Sequence, residues 1–331
     1  MTVAGAVITA RREVWPLRQR FVTAHGAKSK VEPVVATVRI GTHVGRGECI
    51  AYPRYGETVD GVLAAIAEIA PELGRTPDRA VLARLLPAGA ARNALDCALW
   101  DLEAKRAGRR AWALAGIAMP DGITTAYTLS AEAPAAMAEA AATHRERPLL
   151  KVKLVGDGLD LQRVEAVRAA APASRLIVDA NEGWSVEDYR ALAPAFADLG
   201  VTLIEQPLPA HDDGALAELP RPVTVCADES AHVAADVTGL AGRYDAINIK
   251  LDKAGGLTEA LAMLAAARAH ELQVMVGCMM ATSLAMAPAM LLAAQADVVD
   301  LDGSLWLAQD RSPPLAAAGS RLAPPEARLW G

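Results

Sequence analysis

Five apolar runs between residues 149 and 251 end alike: Leu149-Leu150-Lys151-Val152-Lys153-Leu154, Leu176-Ile177-Val178-Asp179, Val201-Thr202-Leu203-Ile204-Glu205, Val223-Thr224-Val225-Cys226-Ala227-Asp228 and Ala246-Ile247-Asn248-Ile249-Lys250-Leu251. Each has strand length, and ionisable groups gather at its C-terminal end. Helical repeats fill the gaps, at Leu159–Ala170 and Val186–Leu199. Working outward, Ile123–Leu129 precedes the set, and Gln273–Cys278 and Val298–Asp302 follow it, with a helical pattern at Leu257–Glu271 between. Eight strand-then-helix units predict a (β/α)8 barrel. A doubly wound open sheet is the rival, but no Gly-rich phosphate loop follows any of the runs.

The N-terminal third has a different texture. Val34–Ile40 is β-branched, and Gly45-Arg46-Gly47-Glu48 reads as turn chemistry after it. Val59–Ile69 and Ala90–Ala107 carry helical spacing. These features predict an α+β capping domain over residues 1–115, the barrel over 116–310, and a Pro- and Ala-rich tail over 311–331 that packs back on the first domain.

Bulk properties exclude several classes. The chain has 331 residues and a formal net charge of -6, with 53% hydrophobic and 22% charged residues, as in a globular enzyme. Its 33 basic residues form no arm or stripe, so nucleic acid is not expected as a partner. Cys49, Cys97, Cys226 and Cys278 are widely spaced, which argues for a reducing, cytoplasmic setting without disulfides. No signal peptide or membrane span is read, and a homo-oligomer is compatible with the sequence.

Barrel enzymes keep their chemistry at the C-terminal ends of the strands. Asp179, Glu205 and Asp228 come from three consecutive runs and should meet at the rim. Three carboxylates together call for a cation, and an all-oxygen set favours a hard ion, Mg²⁺ or Mn²⁺. The plainer alternative is that each acid caps the helix that follows it. Lys151 and Lys153 share a face because side chains alternate along a strand. Lys250 lies four strands on, across the circle. Burial and a nearby cation should draw the Lys151 and Lys153 amines towards neutrality, and a neutral lysine can act as a base. Two bases facing one carbon imply epimerisation or racemisation, unless one lysine only stabilises charge. Mg²⁺ would stabilise the negative charge that gathers when a proton leaves beside a carboxylate.

The set Lys-Val-Lys at 151–153, Asp-Ala-Asn at 179–181, Glu-Gln-Pro at 205–207, Ala-Asp-Glu-Ser at 227–230 and Asn-Ile-Lys at 248–250 resembles the muconate-lactonising subgroup of the enolase superfamily. Asp300-Leu301-Asp302-Gly303 resembles the Asp-x-Asp of its dipeptide epimerases. That resemblance implies a small-molecule dipeptide substrate, L-Ala-D-Glu inverted to L-Ala-L-Glu, in turnover of cell-wall peptide. It implies Lys153 and Lys250 as the acid/base pair, Lys151 as the counter-charge to the substrate carboxylate, and Asp300 and Asp302 as ligands of the α-ammonium group. Thr128 and Cys278 would line the pocket. First-domain loops near Phe21–Lys30 and Arg54–Gly56 would close over it. For the distal carboxylate, where some of these epimerases use an arginine, this sequence offers His25, Lys28, Lys30 or Arg54. The rivals are a lyase such as o-succinylbenzoate synthase or muconate cycloisomerase, which leaves Asp300 and Asp302 unexplained, and a non-catalytic metal-dependent ligand-binding barrel.

Overall fold

The computed structural model describes residues 5–23 and 26–331. Strands β1 (Val7–Arg12), β4 (Val34–Ile40) and β5 (His43–Cys49) form an antiparallel sheet, and β2 (Trp15–Thr23) pairs with β3 (Gly26–Val31) as a separate hairpin. Helices α1 (Val59–Arg75), α2 (Arg79–Leu85) and α3 (Ala90–Ala107) complete the capping domain, and α4 (Ala111–Leu114) leads out of it. The expected turn at Gly45–Glu48 is instead the interior of β5, and the turn is Gly41-Thr42. The reason is packing. A Cβ on Gly45 would lie 2.0 Å from the Ala98 carbonyl oxygen, and one on Gly47 2.1 Å from that of Ala94. The glycines let α3 lie directly on the strand.

Strand β6 (Ile123–Thr124) pairs with β16 (Arg321–Leu322), which also pairs with β15 (Ala317–Ala318). The expected first barrel run, Ile123–Leu129, is therefore split, and only β7 (Tyr127–Leu129) joins the barrel. After it come β8 (Leu149–Lys153), β9 (Arg175–Asp179), β10 (Val201–Glu205), β11 (Thr224–Ala227), β12 (Ala246–Ile249), β13 (Gln273–Gly277) and β14 (Val298–Asp300). These eight pair in parallel and in sequence order. Ala126 N–H donates to Val299 O at 2.8 Å and closes the circle. Helices α5 (Pro134–Thr143), α6 (Asp160–Ala170), α7 (Val186–Asp198), α8 (Ala234–Leu240), α9 (Leu251–Ala254), α10 (Leu257–Ala269) and α11 (Ser283–Ala293) lie between the strands, while Gly214–Ala217 is a single 3-10 turn.

Alternation along the strands organises the interior. Ala126, Leu149, Ile177, Leu203, Cys226, Ala246, Met275 and Val298 form one apolar layer across the barrel floor. Two residues further along each chain stand Thr128, Lys151, Asp179, Glu205, Asp228, Asn248, Gly277 and Asp300. The intervening residues, such as Val152, Val178, Ile204 and Val225, face outward to the helices.

Helix α3 serves both domains. Its Asn93 Nδ2 donates to Asp252 Oδ1 at 2.8 Å, Arg92 to Ala254 O at 2.7 Å, and Thr258 Oγ1 donates to Asp96 Oδ1 at 2.6 Å. The tail reaches the same helix: Trp330 Nε1 donates to Cys97 O at 3.0 Å and Gly331 N to Asp101 Oδ1 at 2.7 Å.

Candidate active site

The polar layer opens into a cavity of about 680 Å³. Thr128, Lys151, Lys153, Asp228, Lys250, Cys278, Asp300, Asp302 and Arg54 all line it. Asp179 and Glu205 lie beneath, with no exposed surface. The hairpin supplies Phe21, Lys28 and Lys30 to the opposite wall, and the 3-10 turn Pro53–Tyr55 supplies Arg54 and Tyr55. Capping-domain segments thus roof the mouth of the barrel. His25 lies outside the described residues.

Ammonium groups span the three acids. Lys151 Nζ is 3.1 Å from Asp179 Oδ2, 2.6 Å from Glu205 Oε2 and 2.7 Å from Asp300 Oδ2. Lys153 Nζ lies 2.5 Å from Asp179 Oδ2. Lys250 Nζ lies 2.5 Å from Asp228 Oδ2 and 3.9 Å from Glu205 Oε1. Glu205 therefore sits within reach of amines from both sides, and the acids occupy one small volume. As the side chains stand, no three His, Cys, Asp or Glu among the described residues surround a common cation position.

The charges shift one another. Burial pushes Glu205 up to about 7, helped by the Asp179 and Asp228 charges. Burial also pushes Asp179 and Asp228 up, but the neighbouring lysines outweigh it and hold both below the usual carboxylate range. Burial draws Lys151 and Lys250 down, yet the carboxylates overcome it and hold both amines well above their ordinary value. The expected pull of Lys151 towards neutrality is outweighed here, because its amine has acids in contact with it.

This donor set fits a hard divalent cation. It is all oxygen and buried, and its three carboxylates are the hard ligands that such an ion takes. Glu205 Oε2 makes no well-directed hydrogen bond despite its proximity to Lys151, which leaves a lone pair free. Asn248 Nδ2 donates to Glu205 Oε1 at 2.7 Å and steers that carboxylate.

Across the cavity, Asp302 Oδ2 accepts from Thr128 N–H at 2.6 Å and from Trp306 Nε1 at 3.4 Å. Burial and the adjacent Asp300 charge push Asp302 up to about 6. Arg54 is committed elsewhere: its guanidinium forks onto Glu182 at 2.8 and 2.9 Å. Lys28 remains solvent-accessible, faces the Tyr52 ring at 5.5 Å, and pairs with no carboxylate among the described residues. The surrounding protein pulls its amine below the ordinary value by desolvation.

Sequence reasoning missed Asn248 and Lys253. Asn248 is two residues before Lys250, so strand alternation already put it on the inner face. Lys253 Nζ reaches Asp228 Oδ1 at 2.6 Å from the α9 turn, where alternation gives no guidance.

Residues 134–327 match the model described as "Enolase C-terminal domain-like", and residues 6–116 match "Mandelate racemase / muconate lactonizing enzyme, N-terminal domain". The L-Ala-D/L-Glu epimerase of Escherichia coli is 47% identical over 305 residues, covering 92% of this chain and 95% of that one. An N-acetyl-D-glutamate racemase from Pseudoalteromonas is 42% identical over 302 residues, covering 90% and 95%. The crystal structure of an Enterococcus faecalis dipeptide epimerase complexed with Mg and L-Leu-L-Tyr superposes with a TM-score of 0.90 at 27% identity, covering 98% of each chain.

Proposed function

The chain belongs to the mandelate racemase/muconate lactonizing enzyme family of the enolase superfamily, and from that premise we propose that it is a Mg²⁺-dependent epimerase that inverts the Glu α-carbon of L-Ala-D/L-Glu. The observation that carries this reading is the pairing of Lys153 and Lys250 on opposite walls of one cavity, with three buried acids between them. Asp179, Glu205 and Asp228 would hold Mg²⁺, which supplies the positive charge that a deprotonated carboxylate substrate requires.

The protein's own groups do the rest. Lys151 pairs with the substrate carboxylate. One of Lys153 and Lys250, as the free amine, takes the α-proton from its face. The other, as the ammonium, returns a proton to the opposite face, and the centre is inverted. The roles exchange in the reverse direction. The roof formed by the hairpin and the Tyr52–Tyr55 segment keeps water from the carbanion. Asp300 and Asp302 receive the α-ammonium group, while Thr128 and Cys278 shape the wall beside them. With Arg54 bound to Glu182, Lys28 is the cation best placed for the distal carboxylate. Turnover of cell-wall peptide in the cytoplasm is the setting we propose, supported by four cysteines that are all unpaired.

A second reading, racemisation of N-acylglutamates, is favoured by one detail. Lys151 already neutralises Asp300, and Thr128 and Trp306 already hold Asp302. An uncharged acyl group could therefore occupy the same notch.

The test is incubation with L-Ala-L-Glu or N-acetyl-L-Glu and Mg²⁺ in D₂O, following the Glu α-proton by NMR. Exchange with inversion of the dipeptide supports the first reading, and preference for the acyl compound supports the second. No exchange with either refutes both.

A further inference from the structure

Gln206 follows Glu205 and is wholly buried, yet the chemistry above makes no use of it. Its φ of 33° is a left-handed conformation that costs a side-chain-bearing residue energy. The chain therefore leaves β10 abruptly, and this one residue touches the ends of all three acid-bearing strands. Its N–H donates to Cys226 O at 2.8 Å, on β11. Its carbonyl oxygen accepts from Glu182 N at 2.9 Å, just beyond Asp179 on β9. Its side-chain Oε1 accepts from Asp228 N at 2.8 Å and from Ser230 N at 3.1 Å. Its Nε2 donates to Leu208 O at 2.9 Å, Ser230 Oγ at 3.0 Å and Tyr244 Oη at 2.9 Å. Ser230 and Tyr244 in turn each donate to Asp213 Oδ2 at 2.6 Å.

We propose that Gln206 is a positioning residue for the cation: its amide is the strut that fixes the spacing of Asp179, Glu205 and Asp228. This rests on the assignment of those three acids as the Mg²⁺ ligands. The physical need is plain. Three carboxylates repel one another, and the backbone that carries them must be held against that force. A primary amide suits the task because it accepts on one side and donates on the other. Here it accepts from the Asp228 loop and donates towards the Tyr244–Asp213 anchor. Outer partners of this kind are worth about 10- to 100-fold in metal affinity.

The experiment titrates Mn²⁺ into metal-stripped protein, reading free ion by electron paramagnetic resonance well below the melting temperature. Gln206→Met should fold less stably and bind Mn²⁺ about 10- to 100-fold more weakly. Activity should return as Mg²⁺ is raised, which a general loss of structure would not allow. Tyr244→Phe removes one acceptor on the Nε2 side of the strut and should weaken Mn²⁺ in the same direction by a smaller factor. A folded Gln206→Met that binds Mn²⁺ within about twofold of wild type overturns the proposal. If that variant does not fold, Tyr244→Phe decides by the same criterion. Wild-type affinity that survives Asp228→Asn instead sinks the ligand assignment itself, and the strut with it.

Discussion

Gly277 sits in the polar layer of β13 with no left-handed φ, so backbone strain does not explain it. A Cβ there would lie 2.6 Å from Asn248 Oδ1, 2.8 Å from Asn248 Nδ2 and 3.0 Å from Lys250 Cε. Asn248 belongs to β12, and Lys250, one of the two proposed bases, directly follows that strand. Gly277→Ala must therefore push the Lys250 stem, the Asn248 amide, or both, by a large fraction of an ångström. Misplacement on the order of 1 Å costs about 100-fold in rate, or about 2.7 kcal/mol of barrier. The overpacking itself costs stability, about 1–3 kcal/mol, so the protein should still fold. The assay uses L-Ala-L-Glu and L-Ala-D-Glu separately in D₂O. Inversion should fall about 100-fold in both directions, because each direction needs both lysines. Wash-in of deuterium without inversion should survive for the one epimer whose α-proton faces Lys153, and should be lost for the other. If both epimers invert at the wild-type rate, Gly277 is not the space that Lys250 requires, and the two-wall geometry is wrong.

Asp302, with its carboxyl pushed up to about 6, is ionised only above that pH. The kcat/KM for a dipeptide should decline as pH falls through about 6, and Asp302→Asn should raise KM and remove that inflection. An unchanged profile would exclude the ammonium contact. Asp252, buried at the domain contact, is pushed up to about 7 by burial despite its bonds from Ile50 and Asn93. The fold therefore favours its protonated form, and that contribution is complete below about pH 4 and is lost as pH rises through about 7. It amounts to at most roughly 4 kcal/mol, and Asp252→Asn should flatten the slope of melting temperature against pH over that window. Gly47→Ala should destabilise the capping domain by about 3 kcal/mol or more, since its Cβ would meet helix backbone and not a movable side chain; denaturant midpoints would show it.

The barrel and its charged rim were legible because alternation is a rigid rule. Once Lys151, Asp179, Glu205 and Lys250 close their runs, parity places Leu149, Ile177, Leu203 and Ala246 below them. Parity stops where strands stop. Gln206 turns out of β10 through a positive φ, and Lys253 approaches Asp228 from a helical turn, so neither could be placed from spacing. Gly45 and Gly47 misled for a different reason. Locally, glycine in a strand looks like a turn, and only the helix packed on it reveals why a side chain is excluded. The lysine charge states also lay beyond the sequence, because they depend on which carboxylate each amine meets.

Helix α3 carries one more consequence. Its inner face bonds to the loop after the sixth barrel strand, and its other face forms the floor of the small sheet. Cutting the chain near residue 116 would part buried Asp252 from Ile50 and Asn93, and buried Asp96 from Thr258. The capping domain and the barrel should therefore melt together, as a single calorimetric transition. Grafting a relative's roof onto this barrel would have to carry matching residues on both sides of that helix.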